Sequence, residues 1–194
     1  MRYAIPNFKL PQKDLDHEIM SIINMGVHVR TGRRWGMDFS LQDLRNQGFE
    51  AIFIATGMAR QKSLNIEGGK LARDGLEFLR EIKTGKTPDL GNKVLIIGGG
   101  KIAVEAARCA RRLGARDVMV IYHRSRVEMP AQEKNVKEAE NEGVQFFLMA
   151  MPVGLSRQED RLQMEMARTV LGEPDEKGIR HPVVMEASRL VWNG

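Results

Sequence analysis

Four apolar residues, Val94-Leu95-Ile96-Ile97, run straight into Gly98-Gly99-Gly100-Lys101-Ile102-Ala103, and helical periodicity begins at once. The pattern is G-x-G-x-x-A, with Gly98, Gly100 and Ala103 at the three small positions. A buried strand, a turn only small residues can make, and a helix lying close to the strand restrict the fold to a βα unit of a parallel sheet. The ligand class is restricted too. The first turn of such a helix offers unpaired N–H groups and the positive end of its dipole, and both suit a diphosphate. A glycine turn that merely joins strand to helix is the alternative, and the strands that follow count against it.

Those strands are regular. Lys93–Ile97 reads as a strand and Gly100–Leu113 as a helix stopped by Gly114. Val118–Tyr122 is a second strand. Pro130 stands where a helix would start, Gly143 where it would stop, and Val144–Met149 is a third strand. Residues 93–149 therefore read β-α-β-α-β. Beyond them, Arg161–Leu171, Gly178–Glu186 and Arg189–Trp192 read as short antiparallel strands, with Gly172-Glu173-Pro174-Asp175 turning between the first two. Upstream, Leu15, Ile19, Ile22 and Ile23 predict a helix ended by Gly26, and Val27-His28-Val29 a short strand. Ser40-Leu41-Gln42-Asp43 is a capping box opening a second helix. Ala51-Ile52-Phe53-Ile54-Ala55-Thr56-Gly57 reads as a buried strand running into a turn. Leu76, Leu79 and Ile82 mark a helix closed by Gly85, and Lys86–Gly91 a linker.

The end of the second strand bears on which dinucleotide is held. Sites for NAD place Asp or Glu there to accept from the ribose 2′-hydroxyl. This chain has His123-Arg124-Ser125-Arg126, with Arg124 26 positions after Gly98. Guanidinium groups attract a 2′-phosphate that a carboxylate would repel, so the loop favours NADP(H). Arg124 and Arg126 are the candidate phosphate ligands and Ser125 a candidate donor. His123 either joins them or caps the strand. A solvated arginine loop is the plainer alternative. Lys101 is placed to pair with phosphate or to stand in solvent.

Composition narrows the remaining classes. A single cysteine, Cys109, excludes an internal disulfide, a Cys-x-x-Cys redox pair and a four-cysteine cluster within this chain. Its place in the predicted helix marks it as a small buried residue. No apolar run reaches the length of a membrane span and no signal segment opens the chain, so a cytoplasmic setting is expected. The net charge of +5 comes without a nucleic-acid motif, so no nucleic-acid partner is expected. The histidines have no metal-ligand spacing, and no metal site is expected.

Ile96-Ile97-Gly98-Gly99-Gly100, Ala106-Ala107-Arg108, Leu113-Gly114-Ala115 and above all Tyr122-His123-Arg124-Ser125-Arg126-Val127-Glu128-Met129-Pro130-Ala131 resemble the small (beta) subunit of NADPH-dependent glutamate synthase and its pyridine nucleotide oxidoreductase relatives. Arg2-Tyr3-Ala4-Ile5-Pro6, Leu10-Pro11, Ala55-Thr56-Gly57 and Leu171-Gly172-Glu173-Pro174-Asp175 extend the resemblance over nearly the whole chain. It implies an α/β fold, a Rossmann-like FAD/NAD(P)-binding domain whose central parallel sheet carries helices and a small antiparallel β-meander. It implies hydride transfer from NADPH to FAD, and an electron-accepting partner subunit or iron–sulfur protein. Residues 1–60 would be a partial FAD-domain segment with Ala55, Thr56 and Gly57 near the flavin. Residues 61–92 would connect, and 93–194 would form an NADP(H)-binding domain lacking its closing strand.

Three features depart from the family. Its flavin-cradling glycine fingerprint and cysteine-rich region are absent, so the expectation is a piece of a larger flavoprotein, inactive alone and with an incomplete FAD site. Lys101-Ile102-Ala103 and Glu105 replace the usual residues after the glycines. The alternative reading is a non-catalytic nucleotide-binding module in a larger assembly.

Overall fold

The computed structural model describes residues 2–57, 64–159 and 161–194. They fall into two compact units, Pro11–Gln61 and a larger one formed by Met1–Leu10 with Lys62–Gly194.

The smaller unit carries helices α1 (Gln12–Asn24) and α2 (Leu41–Asn46). The capping box that opens α2 is present: the Ser40 hydroxyl accepts from the Asp43 N–H at 3.2 Å, and the Asp43 carboxylate accepts from the Ser40 N–H at 2.8 Å. The two strands expected here do not form. Val27 and Val29 stand 47% and 57% exposed, and Phe53 is 93% exposed in an extended but unladdered run. β-branched and aromatic residues favour a strand only when a neighbour completes the ladder and covers a face. Among the described residues none does so for either segment.

The first α-helix of the larger unit is α3 (Gly75–Lys83), capped by Asp74, whose carboxylate accepts from the Glu77 N–H at 2.9 Å. Then follow β1 (Lys93–Ile97), α4 (Lys101–Arg112), β2 (Asp117–Tyr122), α5 (Glu133–Asn141) and β3 (Val144–Leu148). The three strands form a parallel sheet in the order β1-β2-β3, as the βαβαβ reading requires. Helix α5 begins at Glu133, three residues after Pro130, because Pro130 and Ala131 belong to the loop that closes over the glycine turn.

Antiparallel strands β4 (Ala150–Gln158), β5 (Arg161–Pro174) and β6 (Arg180–Asn193) form a second sheet. Strand β4 escapes sequence reading because Pro152 and Gly154 break its pattern, and the register shifts between those two residues. β6 is one strand with irregular register, not two. Its hairpin with β5 turns at residues 175–178. The expected turn at 172–175 therefore lies mostly inside β5, with Pro174 paired to Arg180.

Strand alternation sorts the core into two layers. Val118, Val120 and Tyr122 join Val94, Ile96, Val144, Phe146 and the helices. Met119 and Ile121 point the other way, against Leu155, Met164, Met166 and Trp192 of the antiparallel sheet. A parallel sheet must be covered on both faces, and here one cover is helical and the other is a sheet. Ala103, Ala106, Ala107 and Ala110 bring α4 close to the strands.

Cys109 lies on the flank of α4 that faces α3 and the N-terminal residues, beside Phe8, Leu79 and Ile82, at 4% exposure. Burial, with the Glu105 charge adding, pushes its thiol up to about 11. Iodoacetamide at pH 8 should therefore label the folded chain about a hundredfold more slowly than the chain in guanidinium. Equal rates would mean that α4 is not packed as described.

The N-terminal residues dock on the outer side of α4. Arg108 and Arg112 lie over the Phe8 ring, 4.7 and 4.0 Å from its centre. The Lys83 ammonium donates to the Asn7 side chain and the Leu10 carbonyl. Lys9 reaches the Asn135 side-chain oxygen at 2.6 Å.

Candidate nucleotide site

The glycine turn sits where β1 and β2 end side by side. Ile97 pairs with Ile121, and the Gly98 N–H donates to the Ile121 carbonyl at 2.9 Å. Gly98 has φ +124°, a conformation L-residues avoid. Gly100 is the N-cap of α4, and a Cβ there would meet nothing within 4 Å. No side chain caps this helix and no acidic residue stands in its first turn. The N–H groups of Lys101, Ile102 and Ala103 therefore open the helix without an intrahelical acceptor.

Gly99, the variable position of the motif, is the tightest of the three. A Cβ there would lie 2.6–2.8 Å from the Tyr122 ring. The ring itself is pinned, since Tyr122 is 5% exposed and its hydroxyl donates to the Glu128 carbonyl at 2.9 Å. The Gly99 carbonyl accepts from the Ala131 N–H at 3.1 Å, which ties the turn to the loop after β2. Sequence reading gave Tyr122 no role at the site beyond its place in β2 and in the run that carries the resemblance. The signal was its place in the alternation Val118, Val120, Tyr122, which puts it on the helix face under the turn.

The loop after β2 treats its four candidate residues differently. Arg126 is committed: both its Nη atoms donate to Glu140, each at 2.8 Å. Ser125 is committed as well, its N–H and hydroxyl donating to Glu128 at 3.0 and 2.5 Å. Burial, with the Arg124 charge adding, pushes the His123 imidazole below its ordinary value, which favours its uncharged form. Arg124 is half-buried, and its Nε is buried without a hydrogen-bond partner. Its backbone is fixed from the neighbouring sheet: the Arg124 carbonyl accepts from Met149, and the Thr169 hydroxyl donates to the His123 carbonyl. A buried donor without an acceptor is costly unless something supplies one, and an anion would.

Lys101 leans back along α4, with its ammonium 3.9 Å from Glu105 Oε1 and 59% of its side chain exposed. Ala55, Thr56 and Gly57 lie in the other unit, exposed and without secondary structure. In that unit α1 follows Pro11 and α2 is already capped by Ser40 and Asp43. Its described residues thus build no glycine turn onto a free helix start, and no cradle for a flavin pyrophosphate. The described residues include no helix long and apolar enough to cross a membrane and no group of side chains that could hold a metal.

The sequence profile described as pyridine nucleotide-disulphide oxidoreductase matches residues 7–193. Among curated proteins, the NADP(+)-dependent formate dehydrogenase subunit beta of Moorella thermoacetica is 37% identical over 186 residues, covering 93% of this chain and 26% of that protein. The NADPH-Fe(3+) oxidoreductase subunit beta of Geobacter sulfurreducens is 37% identical over 195 residues, covering 97% of this chain and 29% of that protein. The glutamate synthase [NADPH] small chain of Azospirillum brasilense is 30% identical over 202 residues, covering 97% and 42%. The chain thus spans between about a quarter and two-fifths of these relatives. Mycobacterium tuberculosis FprA, solved in complex with NADPH, superposes with a TM-score of 0.77 at 13% identity over 99% of this chain and 58% of its own, a likeness of fold.

Proposed function

Because this chain belongs to the pyridine nucleotide-disulphide oxidoreductase family, we propose that it supplies the NADPH-holding part of an NADPH-dependent flavoprotein oxidoreductase similar to the glutamate synthase small subunit. The observation that carries the cofactor choice is the buried, unpartnered Nε of Arg124 beside an uncapped, glycine-led helix start. On this reading the N–H groups opening α4 bind the pyrophosphate. Gly98 and Gly100 allow its approach, and Ala103 keeps the helix close to the sheet. Arg124 binds the ribose 2′-phosphate, while Arg126 and Ser125 hold the loop through Glu140 and Glu128. A bound NADPH supplies the hydride, and the chain's own residues bind and orient it.

Residues 1–60 are then a flavin-domain segment, 61–92 a connection and 93–194 the NADP(H)-binding domain. A flavin cradle is not among the described residues, so no step is assigned to Ala55, Thr56 or Gly57. Two relatives are named as beta subunits, in keeping with an electron-accepting partner subunit or iron–sulfur protein.

The test is a fluorescence titration of the chain with NADPH and NADH. Saturable quenching by NADPH, with NADH weaker, is expected. Arg124→Ala should weaken NADPH about tenfold, or 1.4 kcal/mol, and leave NADH unchanged. Arg126→Ala should alter the preference less. Failure of both nucleotides to bind, or tighter binding of NADH, would overturn the proposal.

A further inference from the structure

Glu105 is a buried ionisable group to which the nucleotide reading gives no task. It stands in the second turn of α4 at 2% exposure, and its Oε1 accepts no hydrogen bond. Two ammonium groups approach that oxygen without closing on it. Lys9, from the N-terminal segment, is at 3.6 Å, and Lys101, from the first turn of α4, is at 3.9 Å. The two lysines differ in what holds them. Lys9 is 17% exposed in its side chain and is tied to Asn135 at 2.6 Å. Lys101 is 59% exposed in its side chain, and Glu105 is its only ionic partner among the described residues.

A buried carboxylate so near a phosphate-binding helix start works against an anion, unless its charge is answered. We propose that Lys9 is a positioning residue: by neutralising Glu105 it releases Lys101 toward the nucleotide phosphates, so that docking of residues 2–10 on α4 and nucleotide binding favour each other. The inference rests on the assignment of α4 to the nucleotide. With Lys9 seated, Glu105 keeps a counter-charge when Lys101 turns to phosphate. With the segment undocked, Glu105 retains Lys101 and repels the incoming anion. Linkage makes the effect mutual, so bound nucleotide must also tighten the segment. Leu10, next to Lys9, is the last residue of this unit before the chain enters the other.

The experiment is NADPH titration of the full chain and of four variants, with hydrogen exchange of residues 2–10 read with and without nucleotide. Lys9→Met keeps the side chain's apolar stem and removes only its charge. It should weaken NADPH about fivefold, at the low end for coupled sites. Lys9→Arg should hold the original affinity. Glu105→Gln removes the charge Lys9 answers, and the double variant Lys9→Met/Glu105→Gln should recover the affinity lost in Lys9→Met. NADPH should slow exchange in residues 2–10 of the unsubstituted chain but not of Glu105→Gln. Unchanged affinity in Lys9→Met, or no recovery in the double variant, would overturn the coupling while NADPH binding by the unsubstituted chain stands. Absence of that binding would overturn both.

Discussion

Alanine at Gly99 is expected to lower stability by about 3 kcal/mol, the upper end for one methyl group forced into a packed core. The added carbon would sit 2.6–2.8 Å from three atoms of the Tyr122 ring. The ring cannot swing away, because its hydroxyl is bonded to the Glu128 carbonyl and the side chain is buried among the core residues of the helix face. The turn must therefore lift. Lifting it stretches the bond from Ala131 to the Gly99 carbonyl and moves the N–H groups that open α4. Losing one such donor to a charged phosphate should weaken NADPH about tenfold. Thermal unfolding and titration of the same sample read both effects. Gly100→Ala is the control: its φ of −87° suits any residue, and nothing lies within 4 Å of the new carbon. It should leave the melting temperature near that of the unsubstituted chain. A stable Gly99→Ala chain that binds NADPH normally would show that the ring does not brace the turn.

Arg108→Ala is expected to cost about 3 kcal/mol at pH 7, the lower end for breaking a buried ion pair. Arg108 is 5% exposed and bonds Glu138 at 2.6 Å and Glu142 at 2.6 and 3.1 Å, with its guanidinium over the Phe8 ring. The value stays at the lower end because Glu142 keeps Arg112 at 2.7 Å. The loss should depend on pH. Burial by itself would raise the Glu142 carboxyl, but hydrogen bonds from Arg108 and Arg112 override it and bring the group from 4.5 to about 2. A carboxylate lowered in the folded state stabilises fully above its unfolded value and ceases to do so as pH falls through the folded one. The gap between the original and Arg108→Ala chains should thus be constant above about pH 5, shrink below 4.5 and narrow further toward pH 2. Urea unfolding at pH 7 and pH 3 measures it. A gap that does not change with pH would mean that Arg108 acts by packing on Phe8 alone.

The two halves of the chain were not equally legible in the sequence. From Lys93 to Leu148, local signals agree with one another: apolar runs of strand length, a helix period, and glycines at the stops. β1 and α4 consequently fall within a residue of their predicted bounds. Ala51–Gly57 has the composition of a buried strand but is exposed, because burial needs a neighbour and composition cannot supply one. β4 is the converse case. Pro152 and Gly154 argue against a strand, yet β5 on one side and the parallel sheet beneath it hold the segment extended.

Sequence alone determined the glycine turn, the βαβαβ order around it and the arginine-bearing loop after β2, because each is written in a short contiguous run of residues. Which arginine is open was decided by tertiary structure. Glu140, fourteen residues after Arg126, occupies that guanidinium, while Arg124 keeps a buried Nε without a partner. The demand for glycine at position 99 was decided the same way, by a tyrosine ring on the adjacent strand. So was the setting of Glu105 between Lys9 and Lys101. Ion pairs and ring contacts join residues that are distant in the chain, and their identity depends on register and packing that no local run of residues encodes.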